Sequence, residues 1–430
     1  MRALIAVSSV VVVFVAGRAF LDRLSRDNSL DVCERSDLDL VRAAGAGDVD
    51  MVRSELEDRD PDERDRSANT ALGCAIPRHR TEAIAALLEG GADPDQPSGS
   101  PDYVDLPIEL AHEAGDRRTL VALLEHGADP NLSTPGQESL LLIAIRAHDD
   151  ELVVLLLDHG AAPSDGRPDV PLAVAAGDGT DRAVELLLAR GASPDGVPDS
   201  RPLVRAAASG RAALVDRLLV AGADLSAPAT AIAPTTVGAA VLAEVAGDGD
   251  LTTVADLLGR GVDPNEPMHD GPLLRAATFG HREVAAALLD AGADPDLGET
   301  DELTAAFVVS MVNPTLAERL RGPGGTLVTF APTPIGADPS AAPEPLPPLP
   351  VSPLAAAVVR GDRELVALLL DHGADPDLGT RDDLSPLVLA GLSCDAGVAE
   401  LLLAAGAEPV PATDPAHAAC PAVQELLLPR

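Results

Sequence analysis

Residues 353–378 read PLAAAVVRGDRELVALLLDHGADPDL, and the order of these parts decides the fold. Pro353 opens an Ala-rich segment, and a proline in a helix's first turn has its φ preset and forgoes no hydrogen bond. Small side chains follow it, Ala357 four residues on, which lets helix pack closely on helix. Gly361 ends this first helix in a tight turn. A second helix carries Leu368-Leu369-Leu370 and closes at Gly373, after which Asp375-Pro376-Asp377 makes a turn of the Asx kind.

The same string recurs outward from this unit. Gly-Ala-Asp-Pro-Asp, or a near variant, starts at Gly91, Gly127, Gly160, Gly191, Gly222, Gly261, Gly292, Gly373 and Gly406, at spacings of 36, 33, 31, 31, 39, 31, 81 and 33 residues. A period near 33 belongs to a stacked repeat architecture. A second landmark is locked to the first: Pro107, Pro171, Pro202, Pro272, Pro353 and Pro386 each stand 20 residues before their glycine. Gly115, Gly179, Gly210, Gly280 and Gly361 stand eight residues after the proline, where the first helix should end. The units near 138–166 and 238–267 lack the proline, with Leu140 and Val241 in its place.

These units resemble ankyrin repeats, whose pattern runs Thr-Pro-Leu-His-x-Ala-Ala, Gly-His, Leu-Leu-Leu, Gly-Ala-Asp-x-Asn. The first string is never complete here, standing as Thr70-Ala71-Leu72-Gly73, Val170-Pro171-Leu172-Ala173 or Ser385-Pro386-Leu387-Val388. Ten units are counted, the first near 37–67 with Ala43, Ala44, Gly47 and Asp60-Pro61-Asp62. The resemblance implies an all-α ankyrin-repeat solenoid of about ten helix-turn-helix repeats with short β-turn fingers, in a bacterial-type, exported or membrane-anchored member of the family. Repeats 1–8 are placed at 37–297 and repeats 9–10 at 352–412, with a linker at 18–36 and a capping unit at 413–430.

Composition excludes several functions. The chain has 31 basic residues, every one of them Arg, against 69 acidic ones, for a net charge of −38. There is no Trp, one Tyr (Tyr103) and five Phe, so Ala, Leu and Val must build the core. Nucleic-acid binding needs a basic footprint and, for single strands, stacking rings; neither is present. No Gly-rich phosphate loop, GxSxG, HExxH or paired-carboxylate site stands out, so the chain is read as non-enzymatic, with no metal and no cofactor. His126, His159 and His372 precede the Gly-Ala step, a place where the family commonly carries His. The turn carboxylates Asp93, Asp95, Asp129, Asp294, Asp296, Asp375 and Asp377 are expected to bond their own backbone.

Residues 3–17 form an apolar run behind Arg2, so 1–17 is read as a signal peptide or an N-terminal membrane anchor. Arg18, Arg23 and Arg26 follow it and favour the anchor, whereas Val15-Ala16-Gly17 offers small residues for cleavage. The expected location is membrane-associated or exported, in the cell envelope or periplasm, with membrane contact only through this segment. The four cysteines then favour bridges Cys33–Cys74 and Cys394–Cys420, one staple at each end of the array; four buried thiols are the alternative. Residues 298–351 interrupt the repeats with a Pro/Ala-rich tract, either a passive linker between two half-arrays or a binding insertion.

Arrays of this kind bind through the turn residues before the proline and the last residues of the first helix. Those slots hold Arg78, Tyr103, Arg146, Arg167, Met268, Phe279 and Arg360, which makes them the candidate partner-binding residues. The expected function is a protein–protein interaction scaffold, monomeric, using the concave face of the array. The alternative is a structural or protective acidic envelope protein that acts through charge and bulk without one specific partner.

Overall fold

A computed structural model describes residues 33–99, 104–135, 137–164, 171–230, 235–268, 271–298, 352–378, 385–410 and 423. Among them lie twenty α-helices in ten pairs, and no strand. The first five pairs are α1 (Asp39–Ala46) with α2 (Val49–Leu56), α3 (Ala71–Ala75) with α4 (Thr81–Glu89), α5 (Pro107–Glu113) with α6 (Arg117–Glu125), α7 (Leu140–Arg146) with α8 (Asp150–Asp158), and α9 (Pro171–Asp178) with α10 (Asp181–Ala189). The other five are α11 (Pro202–Ala208) with α12 (Ala212–Val220), α13 (Val237–Asp248) with α14 (Leu251–Gly259), α15 (Pro272–Phe279) with α16 (Arg282–Asp290), α17 (Pro353–Arg360) with α18 (Arg363–Asp371), and α19 (Pro386–Ser393) with α20 (Ala396–Ala404). The helices fall into two compact units, one within Met1–Asp165 and Arg182–Gly191, the other within Gly166–Asp181 and Ala192–Arg430, so that α9 belongs to the second and nearly all of α10 to the first.

The helices start where the sequence supplies a cap. Thr70, Ser139, Ser352 and Ser385 accept a backbone N–H at the head of a first helix. Asp48, Asp116, Asp149, Asp250, Asp362 and Asp395 do so for second helices. Each such cap contributes about 1 kcal/mol. Between the two helices one residue turns left-handed. Glycine fills that slot in most pairs, but His79 (φ 55°), His148 (φ 55°) and Cys394 (φ 63°) take it in three others. Gly179 departs from the sequence expectation, since it ends α9 without the left-handed turn.

In each unit, first helices pack on first helices and second on second, as α11 on α13 and α13 on α15. The alanines after the proline sit at these contacts: Ala175, Ala206 and Ala276 are 0% exposed, as are Leu187, Leu257 and Leu369 from the second helices. The described core holds no aromatic ring. Burying one such leucine stabilises by about 2 kcal/mol, so many small contributions replace a few large ones.

Two local readings change. With Val241 in the proline's place, α13 was expected to begin there, but it begins at Val237, one turn earlier. The added turn is capped by Thr236, whose own hydroxyl donates to Glu266 at 2.7 Å. The insertion does not separate two half-arrays. Pairs α15/α16 and α17/α18 pack directly on one another, and Arg282 Nε donates to both Asp362 carboxylate oxygens at 2.8 and 2.9 Å. Residues 299–351, which hold the Pro/Ala-rich tract, lie outside the described residues.

Candidate protein-binding face

The finger turns are joined by a ladder that crosses from repeat to repeat. Within each Gly-Ala-Asp-Pro-Asp turn the first Asp accepts the N–H two residues on, as Asp93 does from Asp95 and Asp375 from Asp377, each at 2.9 Å. The second Asp reaches the next turn instead. Asp62 accepts Asp93 N–H at 3.0 Å, Asp95 accepts Asp129 N–H at 3.0 and 3.1 Å, Asp296 accepts Asp375 N–H at 2.9 Å and Asp377 accepts Glu408 N–H at 2.8 Å. This corrects the expectation that every turn carboxylate serves its own backbone. Asn131 and Asn265 do the same work with one added bond, since each Nδ2 also donates to the glycine carbonyl of the next turn, Gly160 or Gly292. Burial pushes Asp62 and Asp95 above the ordinary carboxylate range, and the nearby Asp93 carboxylate adds to the rise against the N–H bonds that lower it.

A second ladder runs along the inner turns. Asp149 caps α8 and also accepts Arg117 Nη2 at 2.8 Å, and Asp395 caps α20 and accepts Arg363 Nη2 at 2.7 Å. Burial alone would raise Asp149, but Arg117 and the Leu152 N–H hold it below the ordinary range. Basic residues just after the left-handed slot reach back to the preceding first helix: Arg80 to Gly45 O at 3.2 Å, Arg211 to Ala176 O at 3.0 Å and His281 to Gly247 O at 2.9 Å. They satisfy carbonyls that a helix end leaves orphaned. The sequence reading missed this use of basic residues; the signal was their recurrence one place after the turn.

The sequence-predicted docking residues are placed unevenly. Phe279 ends α15 with 41% of its surface exposed. Met268 is half-buried beside the finger of the same repeat. Arg146 faces Glu138, with Nε 3.4 Å from Oε1. Arg78 donates to Cys74 O at 2.9 Å, and burial pulls its guanidinium below the ordinary value. Arg360 donates to Thr278 O at 2.9 Å and lies over Gly280, so it helps to close the joint across the insertion. Tyr103 and Arg167 lie outside the described residues, and so do residues 1–32, Cys420 and most of 413–430. The ring nitrogens of His126 and His159 donate to Ala122 O (2.8 Å) and Leu155 O (2.9 Å), capping their own helices.

Cys33 and Cys74 form a disulfide with their Cα atoms 5.9 Å apart, both buried beside Val41. Among the described residues no cysteine is free, Cys394 included. The described residues hold no cluster of metal-ligating side chains and no helix long and apolar enough to cross a membrane.

The ankyrin-repeat family model matches residues 351–381, the unit that holds α17, α18 and their finger turn. The chain carries an ankyrin repeat there. Its fold is the all-α ankyrin solenoid architecture, with the helix–turn–helix pair recurring ten times among the described residues. Transient receptor potential cation channel subfamily A member 1 of Homo sapiens is 25% identical over 148 residues, which is 33% of this chain and 13% of the channel. The chain thus spans a small part of that relative's length. The human ASB11 ankyrin repeat domain is 22% identical, covering 64% of this chain and 100% of that one at a TM-score of 0.43. Ankyrin repeats are in general protein-interaction modules.

Proposed function

We propose that this ankyrin-repeat protein is a non-enzymatic scaffold that binds a protein partner on the face formed by its first helices and finger turns, and that its repeats lie in an oxidising compartment of the cell envelope. The observation that carries the first part is Phe279. In a molecule whose described core contains no ring, this ring sits at the end of a first helix with 41% of its surface exposed. Large rings at solvent-facing slots are the residue type from which interface energy is drawn. The bonded Cys33–Cys74 pair and the apolar run at 3–17 support the second part. Docking through a ring survives added salt, whereas a purely charge-based envelope role fades with it.

Hydrogen exchange on the full chain with and without a partner purified from the envelope fraction tests the reading. Protection is expected in first helices and fingers, α15 among them. Protection confined to second helices would refute it.

A further inference from the structure

Neighbouring repeats of the second unit are tied along two lines, and the joint between the sixth repeat (α11/α12) and the seventh (α13/α14) is untied on both. The first line is the finger rung. Asn265 accepts the Asp294 N–H at 2.7 Å, Asp296 that of Asp375 at 2.9 Å and Asp377 that of Glu408 at 2.8 Å. At the sixth joint the donating position is Asp263 and the accepting position is Ser226. A serine hydroxyl ends one bond nearer its own backbone than a carboxylate oxygen. Ser226 Oγ donates within its own turn instead, to Asp224 at 2.7 Å. Among the described residues the Asp263 N–H has no acceptor.

The second line runs through the inner turns. Asp362 and Asp395, which cap α18 and α20, are held by Arg282 and Arg363 of the preceding repeat. Between the seventh and eighth repeats His281 bonds Gly247 O in place of such a pair. Asp250 caps α14 in the same way as Asp362 and Asp395, but the slot of Arg282 and Arg363 is filled in the sixth repeat by Ala212. Asp250 therefore has no basic partner among the described residues. Nor can it reach back to a helix carbonyl as His281 does, since a carboxylate has no proton to donate.

The second helices do not make good the loss. Val220, the last residue of α12, is 85% exposed, and Leu251, the first of α14, is exposed as well. The bonds that remain lie on the other edge. First helix α11 packs on α13, with Ala206, Ala207, Val241 and Leu242 of the two buried, and Thr236 at the end of the intervening finger donates to Glu266 of the next at 2.7 Å.

We infer that this joint is a hinge. Helices α13 to α20 swing about the α11–α13 contact, and the inner turns and second helices part or close on the untied edge. The curvature of the inner face, formed by first helices and fingers, changes at this one place. Large motions fall where few bonds must break, and here both lines of ties are already missing. The inference needs no partner and does not rest on where one docks.

Double electron–electron resonance on the full chain reads the motion, with nitroxide pairs at the last residues of successive second helices. Val220→Cys with Gly259→Cys spans the hinge, and Asp371→Cys with Ala404→Cys spans the joint between the ninth and tenth repeats, which has both ties. All four positions are exposed, and the described native cysteines are bonded. The first distance distribution should be about twice as wide as the second. Ala212→Arg with Ser226→Asn supplies both missing ties. It should narrow the first distribution to the width of the second and slow exchange of the Asp263 N–H about fivefold. Equal widths without these two changes would overturn the hinge. So would an Asp263 N–H no slower in the double variant, or a slower one with the width unchanged. The comparison of widths needs neither tie, so it decides the matter even where the double variant folds poorly.

Discussion

Replacing Asp95 by Asn and by Ala should move stability in opposite directions. Asp95 accepts the Asp129 N–H through both oxygens, at 3.0 and 3.1 Å. Alanine leaves that half-buried N–H without an acceptor and should cost about 1 kcal/mol at the joint between the second and third repeats. Asparagine keeps the acceptor and gains a donor. At the equivalent rungs Asn131 Nδ2 bonds Gly160 O at 3.1 Å and Asn265 Nδ2 bonds Gly292 O at 2.8 Å, so here the new donor meets Gly127 O. It also removes a charge that burial and the neighbours Asp93 and Asp129 penalise. One net hydrogen bond and that relief should stabilise by about 1 kcal/mol at neutral pH. The sign with pH follows from the raised value of Asp95. Its contribution is favourable below the unfolded value, 3.8, and is lost as pH rises through the folded one. The advantage of Asn over Asp should therefore be smallest in acid and grow toward neutrality. Urea unfolding followed by far-UV circular dichroism reads this, since the chain has no Trp. Asp95→Asn destabilised as much as Asp95→Ala, or an advantage that does not change with pH, would refute the reasoning.

Three further outcomes are expected. Cys33→Ser opens a bridge spanning 41 residues, for which chain entropy sets an upper bound of about 4 kcal/mol, and hydrogen exchange should accelerate in α1 to α4 while α17 to α20 keep theirs. His148→Gly relieves an exposed left-handed non-glycine residue (φ 55°) and should raise the urea midpoint, by about 1 kcal/mol of stability. Arg117→Ala should raise the Asp149 pKa, seen by NMR titration; because a depressed carboxylate stabilises above its unfolded value and loses this as pH falls, the variant should lose stability at neutral pH and little in acid.

Much of the fold was legible because each repeat writes its own boundaries: a proline or cap, a left-handed turn, a leucine cluster and a Gly-Ala-Asp turn. The places where the reading slipped are those set by a neighbouring repeat. The second Asp of a finger is indistinguishable in sequence from the first, yet Asp95 bonds across the joint and Asp93 within its turn. The occurrence of Asn131 and Asn265 at that same second position was the available trace, since a bond to an N–H needs an acceptor and not a charge. Arg360 sits in a docking slot by register but closes the joint over Gly280 in the fold, because α17 packs directly on α15. The 39-residue spacing between Gly222 and Gly261 was the sequence sign of the turn added to α13.

Inner-face docking is tested most directly by titrating a purified partner against Phe279→Ala and Val220→Ala in parallel. Both side chains are exposed, Phe279 on a first helix at 41% and Val220 on a second helix at 85%, so neither change should disturb melting. Inner-face docking predicts that Phe279→Ala weakens binding at least about tenfold, about 1.4 kcal/mol, and that Val220→Ala leaves it unchanged. Unchanged affinity for Phe279→Ala with loss for Val220→Ala would place the partner on the opposite face and contradict it.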